Sequence, residues 1–99
     1  MKQHIEELKW AMQQHGLWQK QSPAEEKLLS TQPFAIDTLA PEEWLQWVFV
    51  SRIEAMLAAG QALPANFDIT PYFEQAWQTL PQYNDVIHIL KKIDGASKS

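Results

Sequence analysis

The chain has 99 residues, 45% of them apolar and 20% charged, with a formal net charge of −4. That length suffices for one core, since such a chain buries roughly 60–70% of its unfolded surface without metal or disulfide staples. With no cysteine it has no disulfide, thiol nucleophile or cysteine-ligated zinc, and its acidic balance disfavours direct nucleic-acid binding.

The N-terminal MKQHIEELKW carries charges every few residues and lacks the apolar stretch of a signal peptide. No run approaches the ~18 apolar residues of a membrane span. A cytoplasmic protein without a membrane association is therefore expected. Met1, Ile5, Leu8, Met12 and His15 share one side at helical spacing, which predicts a first helix from Met1 to near Trp18. His15 is expected at the core edge, bonded to a backbone carbonyl. Trp10 and Leu17 fall on the opposite side, as a second contact surface or as isolated surface apolars.

Ser22-Pro23-Ala24-Glu25 has the grammar of a helix start, with Ser22 as N-cap and one or two turns after it. The stretch from Ser30 to Pro41 reads as an ordered loop, with Phe34 and Ile36 turned inward and Pro33 disfavouring helix at Gln32. Asp37 or Thr38 is expected to cap the next helix, with Pro41 in its first turn and Gly60 as its stop. Trp44, Leu45, Val48, Phe49, Ile53 and Met56 form its main apolar face, while Trp47, Val50 and Leu57 add apolar surface on the other half. Thr70-Pro71 repeats the cap-then-proline pattern before the Phe73, Ala76, Trp77, Leu80 stripe. Tyr83, Val86, Ile87, Leu90 and Ile93 make the last stripe, with Gly95 as its stop. The predicted organisation is a single helical-bundle domain over residues 1–95 and a flexible tail over 96–99. No segment alternates with period two, so the fold class is all-α: an irregular four-helix bundle with two long and two shorter helices.

Chemistry is sparse. Arg52, the one arginine, falls near the centre of the main apolar face, where a guanidinium must be paired or must reach water. Glu74 is the first candidate partner, and holding an anion or a partner's carboxylate is the alternative role. Trp44 is expected in the core and Trp47 outside it, covering the STQPF loop or meeting a partner. His4-x-x-Glu7 and Asp85-x-x-His88 do not make the two Glu-x-x-His motifs of a di-iron bundle. No catalytic residue, metal site or cofactor is nominated, and Lys91, Lys92 and Lys98 read as a solvated helix end.

Ser30-Thr31-Gln32-Pro33-Phe34, Asp37-Thr38-Leu39, Pro41-Glu42-Glu43-Trp44-Leu45-Gln46-Trp47, Arg52, Gln61-x-Leu63-Pro64 and Pro71-Tyr72-Phe73-Glu74 resemble the YqcC-like family of small bacterial proteins. The similarity runs from Trp18 to Ala76, with Ser51 where the family usually has a proline before the arginine. The resemblance implies a helical bundle of unestablished role whose gene in some bacteria neighbours one for a tRNA pseudouridine synthase. This chain is short, helical and acidic, unlike the large sheet and basic cleft of such a synthase, so any link to it, a further alternative, is as an accessory and not as the catalyst. From the residues themselves, the leading expectation is a protein-interaction module, meeting a protein partner or another copy through Trp47/Val50/Leu57 and Trp10/Leu17. A small-ligand or anion binder is the alternative, with Arg52 in an interhelical pocket lined by Trp44, Phe34 and Tyr72.

Overall fold

Ile5, Leu8, Ala11 and Met12 line the buried side of α1 (Lys2–Gln14). They pack against α5 (Asn84–Ser97), which buries Val86, Ile87, Ile89, Leu90 and Ile93. This computed structural model describes residues 1–98. α1 ends earlier than Trp18 because Gly16 takes a positive φ of 70°. Gly16 N–H then reaches Gln13 O at 3.2 Å and Leu17 N–H reaches Met12 O at 2.8 Å, a Schellman turn that folds Leu17 back into the core. Gly60, φ 69°, ends the second rod the same way, with Gln61 N–H on Met56 O.

That rod is continuous from α2 (Pro41–Trp44) through a π-helical segment (Leu45–Val50) to α3 (Ser51–Ala58). Its entry is not capped by Asp37 or Thr38. Asp37 accepts from Ser30 Oγ, and Thr38 Oγ1 donates to Lys27 O at 2.7 Å. Ala40 occupies the cap position. It has no side-chain acceptor, so only half a capping box forms, Glu43 Oε1 accepting from Ala40 N–H at 2.9 Å. Ser22 likewise caps nothing; its hydroxyl donates to Pro23 O, and the expected turns form a 3-10 helix over Glu25–Leu29.

α4 (Thr70–Ala76) is capped from a distance. Asp94 of α5, 5% exposed, accepts from Ile69 N–H at 3.1 Å and Thr70 N–H at 2.8 Å. Thr70 is therefore capped and does not cap. The expected stop at Gly95 is not taken either: α5 runs on to Ser97. Ser97 Oγ lies 3.2 Å from Phe67 O, and Ser97 O accepts from Asn66 N–H at 2.8 Å. Those bonds tie Ser97 to the loop before α4; Ser99 lies outside the described residues.

The described chain is helical without strands and has four helices of seven or more residues, the all-α fold expected. One core cluster runs through all of them. A chain of aromatic rings extends it, including Phe34, Trp44, Tyr72, Phe73 and Trp77. Phe34 and Ala35 are held at φ 57° and 48°, left-handed conformations that cost non-glycine residues energy. The return is contact: Phe34 stacks on Tyr72 at 4.2 Å and meets Trp44 at a tilt, 4.6 Å between centroids. Ile36, expected to turn inward with Phe34, is 63% exposed.

Candidate functional site

The WLQW stretch is largely a clamp. Gln46, 4% exposed, accepts from Gln19 N–H at 2.8 Å and donates to Gln19 O at 2.8 Å. Trp47 Nε1–H donates to Gln19 Oε1 at 2.8 Å, and Gln19 Nε2 reaches Glu43 Oε2 at 3.3 Å. One extended residue is thus held by three side chains of one rod face. Trp47 does cover a connecting segment, but the segment is at Gln19 and not the STQPF loop. Gln46 escaped the sequence reading. The signal for it was an amide inside an apolar stretch, which must find paired backbone partners to be buried.

Arg52 is not an internal charge. It is exposed, and Glu74, the partner expected for it, faces Lys91 at 3.7 Å. Among the described residues Arg52 has no ion-pair partner. The cause is the π segment. Ser51 N–H bonds to Gln46 O, five residues back, which inserts one extra residue into the turn and delays the helical phase by about 100°. Leu45, Phe49, Val50 and Ile53 then share the buried face, and Arg52 swings off it. None of the aromatic set meant to line its pocket lines the groove that Arg52 borders. Trp44, Phe34 and Tyr72 are together, but their rings fill the space between them. The interhelical anion pocket is therefore not formed.

Arg52 instead borders an open groove of about 610 Å³ along the rod. Leu28, Trp47, Val48, Ala55 and Met56 line it with Arg52, and no carboxylate does.

The two expected contact surfaces split. Val50 and Leu17 belong to the core, at 1% and 7% exposure. Trp10 stays out at 63%. It stands over a shallow trough of about 700 Å³ between α1 and α5, floored by Ala11 and Ile89 and rimmed by Glu6, Glu7, Asp85, His88 and Lys92. Three rim charges are engaged: Lys92 faces Glu7 at 3.7 Å, and Asp85 accepts from His15 Nε2 at 2.8 Å. His15 thus bonds a carboxylate, not the backbone carbonyl expected, and its ring meets the Tyr83 edge.

Burial pushes the Glu42 carboxyl above its usual range, aided by the charge of Glu43. Burial also raises the Tyr72 phenol, with the Glu42 charge adding to it. The Lys9 ammonium is raised by its 2.9 Å hydrogen bond to Glu54, which ties α1 to α3. Among the described residues no group of three His, Cys, Asp or Glu could hold a metal ion, and no helix is long and apolar enough to cross a membrane.

Comparison with known proteins gives this arrangement a family. A family model described as tRNA pseudouridine synthase C matches residues 1–96. An uncharacterized protein of Haemophilus influenzae is 48% identical over 89 residues, 90% of this chain and 81% of that one. The uncharacterized protein YqcC of Escherichia coli is 37% identical over 91 residues, 91% of this chain and 84% of that one. Its solution NMR structure matches the fold with a TM-score of 0.81 at 35% identity, covering 93% of this chain and 80% of that chain. A Pectobacterium carotovorum protein named tRNA pseudouridine synthase C is 37% identical over 78 residues, which are 79% of this chain but 21% of that protein. The chain therefore belongs to the family of small helical proteins that includes YqcC, whose model carries the synthase's description.

Proposed function

We propose that the protein is a protein-interaction module, an accessory to a tRNA pseudouridine synthase and not itself the catalyst. The observation that carries the interaction role is Trp10, a large apolar ring left 63% exposed above an apolar trough. Tryptophans in such positions are typical anchors of protein interfaces. The partner class is supported by the Pectobacterium protein, a chain named for the synthase in which a stretch like this one accounts for 21% of the length. A module carried inside a longer chain has a high effective concentration for it.

The test is a binding titration of purified protein against purified tRNA pseudouridine synthase C from the same organism. A saturable complex is expected, and Trp10→Ala should weaken it by about tenfold or more, the range of an interface anchor, with an unchanged circular dichroism spectrum. Absence of binding at about 100 μM, near the weak end of specific association, overturns the reading.

A further inference from the structure

We propose that the groove beside Arg52 receives a segment of the partner protein bearing an aspartate or glutamate side chain. The guanidinium pairs with the carboxylate, while Trp47 and Met56 take an adjacent apolar side chain. This rests on the interaction reading above and adds to it a second surface with its own chemistry.

Charge complementarity is the main argument. The chain has 12 acidic and 8 basic residues, yet none of the groove's lining residues is acidic and Arg52 is their only charge. Lys9, Lys91, Lys92 and Lys98 each face a carboxylate within 4 Å; Lys2, Lys20 and Lys27 show no ion pair among the described residues, but none of them lines this groove. Arg52 has no such partner among the described residues, and its planar fork is the side chain best suited to hold a carboxylate by two parallel bonds. The rest of the lining agrees. Leu28, Ala55, Met56 and Ala59 give Arg52 small and apolar neighbours. An isolated anion would gain nothing from those neighbours; a carboxylate next to an apolar side chain gains from both. An RNA strand fits less well, since backbone binding needs several cations in a row.

The experiment uses the purified intact protein and the purified synthase, both treated with ribonuclease, with Arg52→Ala, Arg52→Glu and Arg52→Lys as variants. Arg52→Ala should weaken binding about tenfold, Arg52→Glu about a hundredfold, and Arg52→Lys less than either, because a lysine keeps the charge but not the fork. All three should melt like the parent, since Arg52 is exposed. The difference between Arg52→Ala and parent should shrink as salt rises. If the parent binds and Arg52→Glu binds equally well, the groove proposal fails and the accessory reading stands. If the parent does not bind, both fall. Binding seen only before ribonuclease treatment means an RNA bridge, and a parent dimer broken by Arg52→Glu means a second copy occupies the groove; either result overturns the proposal.

Discussion

Glu42 is the residue at which local sequence and tertiary burial pull in opposite directions. Its position in the first turn of α2 favours a negative charge. Packing of the segment half-buries it near Tyr72, and the net direction of its pKa is upward. A carboxylate whose folded pKa exceeds its unfolded value binds its proton more tightly in the native state. Its ionised form therefore lowers stability above the folded pKa, and that cost disappears as pH falls through it to below the unfolded value. Glu42→Gln removes the ionisable group, so the variant should melt slightly higher than the parent near about pH 7 and equally near about pH 3. The shift should correspond to less than about 0.5 kcal/mol, as befits a partly exposed site. A second reading of the same variant is spectroscopic: Tyr72, freed of the neighbouring charge, should ionise at lower pH in an ultraviolet titration. A variant less stable at neutral pH would mean that the helix end, not burial, governs this carboxyl.

At the scale of elements, the apolar stripes were legible and the exceptions to helical regularity were not. Periodicity located α1, the long rod, α4 and α5, because buried residues must recur every three or four positions. It misplaced Arg52 because a wheel with constant rotation assumes an uninterrupted ladder, and the π segment breaks it. It missed Asp94 because a carboxylate among lysines reads as surface, whereas this one caps α4 from across the core. Gln46 belongs to the same class. The oxygen and the NH2 of its one side-chain amide satisfy both backbone groups of Gln19, so Gln46→Leu should leave an N–H and a carbonyl without partners. We expect a loss of about 2–3 kcal/mol in urea unfolding. Faster limited proteolysis between Gln19 and Leu29 should accompany it. Equal stability with unchanged proteolysis would show that water replaces the clamp at no cost. The Arg52 groove was half legible for the same reason as the rod: the residue stood out, but its surroundings depended on a phase that the sequence does not display.

Across the whole molecule, one contiguous core joins the first helix to the last. The seam between α1 and α5 closes the chain on itself, and its residues are among the most completely buried, Leu8 and Leu90 both at 0% exposure. For a chain of this size the total stability is on the order of 5–15 kcal/mol. Leu8→Ala removes about three methylene-sized groups from a filled space and should cost about 3 kcal/mol, transfer and cavity terms together. Such a loss can act in two ways. If α1 is a separable layer, the change frees it alone, and far-ultraviolet dichroism would lose α1 before the tryptophan signal moves. If the core is one cooperative unit, both signals shift together. Trp77 is 3% exposed and lies in the same core cluster as Leu8, which favours the cooperative case. Urea unfolding of parent and Leu8→Ala, followed by both signals, should give one coincident midpoint in each protein, lower in the variant. Two midpoints in the variant would mean that the α1–α5 trough, with Trp10 on its rim, can open without unfolding the rest.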